Sequence, residues 1–286
     1  MNSRDKWAVV TGSTGGIGGA VAGRLIELDW NLILINRSTA KAEQQSAMLM
    51  DQHPNAKIDL YAADFMDIKS VNSVSQQIQV NHPNISLLYN VAGVLTDKKV
   101  LSTQGLESHF AVNCLAPFVL TQGLLKALSN GSCDTRYSGV VNFSSSAVFS
   151  AAEFSVQRLK APSKIGGLFG SYANSKLAAD ICNSALAPSL LSKGVLIYSV
   201  DPGATKTTMT NGNTAMPYLA RLLRPLLFKS AEKQARKLIG AVEESIDKKR
   251  TGLYIAGGKI KPAPKIVSDV GIQKEILDLL EALNTK

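Results

Sequence analysis

Tyr172-Ala173-Asn174-Ser175-Lys176 is a segment whose residue types could carry proton chemistry. Residues four apart share one face of a helix, so Tyr172 and Lys176 can point into the same cleft. A phenol ordinarily titrates near pH ~10. A neighbouring ammonium, together with a cationic ring bound in the same cleft, would favour the phenolate and bring proton exchange toward neutrality. Taken alone, the pair equally suits an ordinary exposed helix face. A second segment, Thr11-Gly12-Ser13-Thr14-Gly15-Gly16-Ile17-Gly18, has the make-up of an anion cradle. Gly12 permits a tight turn, Gly16 lets backbone approach a diphosphate, and Gly18 lets a helix lie close to a sheet. The helix start would add oriented N–H donors. No Gly-Lys-Ser/Thr follows, which disfavours a nucleoside triphosphate loop.

The elements around these segments set their meaning. Trp7 to Val10 reads as a buried strand, and a helix from Ile17 to Leu28 follows the glycines. Leu32 to Ile35, Ile58 to Tyr61, Ile85 to Tyr89, Val140 to Phe143, Val195 to Val200 and a last short strand Leu253 to Ile255 continue the series. Helical patterns lie between them: about Ala40 to Met50, Ile68 to Val80, Gln104 to Leu128, Tyr172 to Leu191 and, after the sixth strand, Glu232 to Ser245. Short apolar strands alternating with helices predict βαβ units, hence a mostly parallel sheet with helices on both faces. The expected fold is α/β, one doubly wound Rossmann-type domain over residues 1–286. Two stretches, near 150–171 and 207–229, read as insertions on the ligand-binding side of such a sheet.

The second strand ends at Asn36-Arg37-Ser38. A dinucleotide site that prefers an unmodified ribose carries an acid at this place. Arg37 instead suits a 2′-phosphate through charge-assisted hydrogen bonds. NADP(H) is therefore the expected cofactor, NAD(H) the alternative, and a surface arginine the plain reading.

Formal net charge is +9. The excess is spread in short runs such as Lys98-Lys99 and Lys248-Lys249-Arg250, without a basic arm or interleaved aromatics, so nucleic acid is not an expected partner. Three widely spaced cysteines, Cys114, Cys133 and Cys182, indicate neither a disulfide framework nor a zinc site, and no other metal is expected. Reduced thiols and the lack of a secretory or ~18-residue apolar segment point to the cytoplasm.

Read in order, the glycine turn, Asn90-Val91-Ala92-Gly93, Asn113, Ser144-Ser145-Ser146, Tyr172 to Lys176 and Asp201-Pro202-Gly203 through Thr207 resemble the short-chain dehydrogenase/reductase family across nearly the whole chain. Phe110 to Phe118, Ser175 to Ala178 and Thr251 to Tyr254 are most similar to its retinol-dehydrogenase-like and protochlorophyllide-reductase-like branch. The resemblance implies roles. Tyr172 would be the general acid or base, Lys176 would bind the nicotinamide ribose and depress the phenol, Ser145 would hydrogen-bond the substrate oxygen, and Asn113 would hold a relay water. Ser144 and Ser146 are adjacent rivals to Ser145. Gly12, Ser13, Thr14, Gly16, Ile17, Gly18, Arg37, Asp64, Phe65, Asn90, Ala92, Gly93, Pro202, Gly203 and Thr207 would contact the cofactor, with Tyr172 and Lys176. Val91 departs from a second asparagine common in relatives, and Asp201 stands where this branch often has histidine.

The expected activity is hydride transfer between NADP(H) and a small, lipophilic carbonyl or alcohol. A silent dinucleotide-binding regulatory or scaffold protein is the alternative. Peripheral membrane contact and a homo-oligomer stay compatible with the sequence. Met216 to Lys229, with Leu219, Leu222, Leu223 and Leu226 at helical spacing, is expected to form a lid over the substrate. A core helix and a membrane-surface helix are the alternatives.

Overall fold

Period-two alternation places the strand residues. In the computed structural model, β1 (Trp7–Thr11) and β2 (Asn31–Asn36) turn Val9, Ile33 and Ile35 to one face, and Ala8, Val10, Leu32 and Leu34 to the other. The structure describes residues 6–151, 154–160, 162, 165, 167–205 and 229–285. Both faces of these strands are buried, which explains their unbroken apolar runs.

The remaining strands are β3 (Ile58–Ala62), β4 (Leu87–Asn90), β5 (Ser138–Phe143), β6 (Val195–Asp201), β7 (Leu253–Ala256) and β8 (Lys259–Lys261). Their order is β3-β2-β1-β4-β5-β6-β7-β8, parallel throughout except for the antiparallel β7–β8 pair. The chain reverses direction across the sheet between β1 and β4, where the expected ligand crevice lies. One face is covered by α1 (Gly16–Glu27) and, further along the chain, the long helix Ala231–Asp247. The other face carries α3 (Ile68–Asn81), following α2 (Thr39–Gln52) in the chain, and then α5 (Ala116–Gly123), α6 (Leu125–Asn130) and α8 (Ser171–Leu191).

Three expectations need correction. The continuous helix expected over Gln104 to Leu128 is broken. It begins only at α4 (Ser108–Phe110), because Glu107 accepts the N–H groups of His109 and Phe110 and caps it. A π-helical turn, Ala111–Leu115, follows. Pro117 opens α5 and has no N–H for the carbonyl of Asn113, so the ordinary ladder cannot run through this point. Strand β4 starts at Leu87 rather than Ile85, because the Ile85 N–H is taken by the Ala127 carbonyl at 2.9 Å. Leu253 to Ile255 is not the last strand: Gly257 and Gly258, at φ +60° and +82°, turn the chain back into β8. The exposed lysines of β8 discourage further pairing at that edge.

The end of the chain adds a helix beyond those read from the sequence. The helix Ala231–Asp247 is α9, and a C-terminal helix, α10 (Val270–Asn284), follows it. Asp269 caps α10 through Ile272 N–H, while Ile276 and Leu280 bury its inner face in the core beside α8 residues. Side chains of this kind stabilise by about 1.5–3 kcal/mol each when fully buried. Within the first insertion, α7 (Val156–Lys160) is a short helix between two 3₁₀ turns, Ser146–Ser150 and Gly167–Phe169. Thr207 and residues 216–228, including the expected lid, lie outside the described residues. Cys114 and Cys182 are buried and Cys133 is exposed, all as free thiols.

Candidate active site

The glycine turn is held from three directions. Gly12 has φ +67°, donates its N–H to the Ile35 carbonyl at 2.9 Å, and would bring an added Cβ to 3.0 Å from the Ala92 Cα. A Cβ on Gly18 would fall 2.2 Å from the Gly12 carbonyl oxygen, which fixes how closely α1 approaches the turn. Ser13 is buried and spent on the scaffold: its hydroxyl donates to Gln45 Oε1 at 2.9 Å and accepts from Asn36 Nδ2 at 2.8 Å. Thr14 N–H donates to Asn36 Oδ1, and Thr11 Oγ1 accepts from both Val91 and Ala92 N–H. Asn36, Gln45 and Thr11 thus lock the turn to β2, α2 and the end of β4, roles the sequence reading missed.

The start of α1 suits a diphosphate. Gly15 caps it without a side-chain bond, and no acid occupies the first turn. Its N-terminal N–H groups and positive dipole end are therefore not neutralised by the chain itself. Gly16 and Thr14 are exposed here, and Ile17 is half-buried. Arg37 is exposed just beyond β2. Asp64, after β3, accepts Met66 N–H through Oδ1 at 2.9 Å, and Phe65 packs half-buried on the core. Asn90 faces inward: its Nδ2 donates to Asn142, whose Nδ2 donates to Asn183, whose Nδ2 donates to Ser199. This buried amide chain ties β4, β5, α8 and β6 together below the crevice.

At the other end, the π turn and α8 bring the proton-carrying side chains together. Ser145 and Tyr172 share a side-chain hydrogen bond, while Ser144 points instead to Asp180, donating to Oδ2 at 2.6 Å. Ser146 is exposed, and its backbone bonds to Asp201. Among the three serines, Ser145 alone meets the phenol. Lys176 Nζ donates to the Phe143 carbonyl at 2.5 Å, and a Cβ on Gly93 would lie 3.6 Å from that nitrogen. Asn113 Oδ1 accepts Val94 N–H at 2.8 Å, and its Nδ2 donates to the Val94 carbonyl and Ser175 Oγ. Its side chain thus fastens the strand exit to α8, and the group left without its usual helical donor by Pro117 is its backbone carbonyl. Pro202 accepts from Gln234, and Gly203, at φ +69°, donates to Asp201 Oδ1 at 2.7 Å.

The electrostatics differ from the simple phenol-and-ammonium picture. Burial pushes the Tyr172 phenol up to about 12, opposed by the Ser145 bond and reinforced by the Asp201 charge. Burial also draws Lys176 down to about 8, against the pull of Asp180, Cys114 and Asp201. Lys176 is anchored at the Phe143 carbonyl, and the causes of the phenol's shift in the protein alone are burial, Ser145 and Asp201. Beside Tyr172 stands an unpredicted pair. The ring of His109 lies edge-on to the phenol ring, centroids 6.0 Å apart. Thr96 N–H donates to His109 Nε2 at 3.1 Å, so the ring proton sits on Nδ1 and goes to Glu107 at 2.8 Å. Burial raises Glu107, but the bonds from His109 and Ser108 outweigh it and hold the carboxyl below its ordinary range.

The sequence profile of the short chain dehydrogenases matches residues 6–217. The chain is 28% identical over 283 residues to "Short-chain dehydrogenase TIC 32 A, chloroplastic" of Brassica napus, covering 97% of this chain and 88% of that protein. It is 30% identical over 231 residues to retinol dehydrogenase 12 of Mus musculus, covering 81% and 71% of the two chains. Its fold resembles the NADPH-bound carbonyl reductase from chicken fatty liver, with TM-score 0.68, 18% identity, and 91% and 99% of the chains covered. The chain belongs to the short chain dehydrogenase family of oxidoreductases, in its retinol-dehydrogenase-like branch.

Proposed function

We propose that the protein is an NADP(H)-preferring alcohol dehydrogenase or carbonyl reductase acting on a small lipophilic substrate, as one unit over residues 1–286, in the cytoplasm. The observation that carries this reading is Tyr172 hydrogen-bonded to Ser145 in an apolar setting of Leu95, Ala147, Ala151 and Leu168. Such walls admit an apolar body and leave two hydroxyls for its oxygen. Phe149 and Phe169, exposed on the neighbouring 3₁₀ turns, extend that character outward. The similarity to retinol dehydrogenase 12 favours the same substrate class.

Gly12 to Gly18 would hold the diphosphate and Arg37 the 2′-phosphate, with Asp64 and Phe65 at the adenine and Ala92, Gly93, Lys176, Pro202, Gly203 and Thr207 toward the nicotinamide. When bound, the dinucleotide supplies or takes the hydride and, oxidised, adds a positive charge. Ser145 donates to the substrate oxygen and orients it toward Tyr172. Tyr172 gives its proton to that oxygen in reduction and takes one in oxidation. A phenol at about 12 is fully protonated at neutrality, so the protein alone is set for the acid role. Lys176 resupplies the proton from the interior side, and the Asn113 carbonyl would accept a hydrogen bond from the water that relays it to the lysine.

The test is NADPH and NADH oxidation over aldehydes and ketones of increasing chain length. Faster turnover with NADPH, rising with apolar length, is expected. No turnover with any carbonyl or alcohol would leave the silent binding protein as the better account.

A further inference from the structure

Asp180 follows Lys176 by four residues, so the two leave α8 on one face. Its side chain is buried, with Oδ2 accepting the Ser144 hydroxyl at 2.6 Å and Ser199 of β6 supplying another side-chain bond. Ser144 lies between Phe143, whose carbonyl receives Lys176, and Ser145, which meets the phenol. The carboxyl therefore touches the strand end that presents both partners. A buried carboxylate carries a desolvation cost of several kcal/mol unless charge and hydrogen bonds offset it. The titratable groups facing it are Lys176 on its own helix, Asp201 on β6, Tyr254 on β7 and Cys114 in the π turn. Lys176 is the cation of this set.

We propose that Asp180 is a further positioning residue for the proton chemistry at Tyr172: its carboxylate keeps Lys176 in the ammonium form and, through Ser144, fixes the end of β5 that presents Ser145. This rests on the oxidoreductase reading above. Asp180 counteracts the burial that draws Lys176 down, and Asp180 itself, raised by burial, stands at about 7. The pair thus changes its charge across the range in which such an enzyme works.

The experiment is kcat/KM for carbonyl reduction against pH in wild type, Asp180→Asn and Ser144→Ala. Asparagine retains an oxygen for Ser144 but removes the charge, so Lys176 gives up its proton earlier. The alkaline limb should move down by about one pH unit, the scale of a nearby opposite charge. Ser144→Ala removes a bond that favours the carboxylate and should move the limb the same way by less. It carries the test if Asp180→Asn does not fold. A limb that stays in place, whether the rate is unchanged or falls uniformly, overturns the proposal, since a merely structural role predicts that. Tyr172→Phe is measured alongside. An inactive wild type, or a Phe variant as fast as wild type, breaks the oxidoreductase reading. An active wild type with a dead Phe variant and an unmoved limb breaks only the role of Asp180.

Discussion

The Lys176 ammonium donates to the Phe143 carbonyl at 2.5 Å, so the lysine is fastened to the end of the strand that presents Ser145. Strand β5 and helix α8 are thereby joined at the one place where proton transfer needs both. Lys176→Met keeps a long apolar stem but loses this bond and the charge. It should lower kcat by on the order of 10²-fold or more and weaken dinucleotide binding. Steady-state kinetics with a fluorescence titration of NADPH check this; a variant with wild-type kcat would remove Lys176 from the mechanism.

Arg37 governs the choice of dinucleotide in this account. A hydrogen bond to a charged group contributes about 1.5–3 kcal/mol. Arg37→Ala should therefore lower the NADPH-to-NADH ratio of kcat/KM by about 10- to 100-fold, chiefly through KM for NADPH. An unchanged ratio would place the 2′-phosphate elsewhere.

The close approach of Gly18 to the Gly12 carbonyl makes a different kind of prediction. In Gly18→Ala the added methyl has no room, since its nearest neighbour is backbone 2.2 Å away. Either α1 or the turn must shift, at about 1–3 kcal/mol for overpacking of this sort. A lowered Tm together with loss of NADPH binding is expected; normal affinity would show that the turn does not shape the diphosphate site.

Much of this was legible in sequence because the decisive features are local. The glycine spacing, the Tyr172–Lys176 step and the short apolar strands are set by periodicity within a few residues. Helix α10 carried the same signal in Ile272, Ile276 and Leu280, but lay beyond the last recognised strand. The π turn was hidden because Pro117 acts on a carbonyl four residues earlier inside an otherwise helical pattern. Asp180 was on the face already chosen for Tyr172 and Lys176, yet its meaning depends on Ser144 and Ser199, which arrive from other strands. The raised phenol was not legible for a related reason: burial, its largest cause in the protein alone, is a property of the whole fold.

Stability should depend on pH through the same buried pair. Asp180 is raised from 3.8 to about 7, so between those values the folded protein holds a proton that the unfolded chain releases. Its contribution is fully present below about 3.8 and is lost as pH rises through about 7. Lys176, lowered from 10.5 to about 8, acts oppositely: stability is gained as pH rises from about 8 toward 10.5. The Tm of wild type minus that of Asp180→Asn should therefore fall between pH ~5 and ~7. A difference independent of pH would mean that Asp180 does not hold its proton in the folded state.

The central claim is that Tyr172 passes the proton, and Tyr172→Phe tests it most directly because only the exchangeable hydrogen and its oxygen are removed. The measurement is single-turnover reduction of an apolar aldehyde by enzyme preloaded with NADPH, with dinucleotide affinity determined on the same samples. The account predicts unchanged NADPH affinity and a rate lower by about 10²–10⁴-fold. A Phe variant that binds NADPH and reduces the aldehyde at close to the wild-type rate would contradict it.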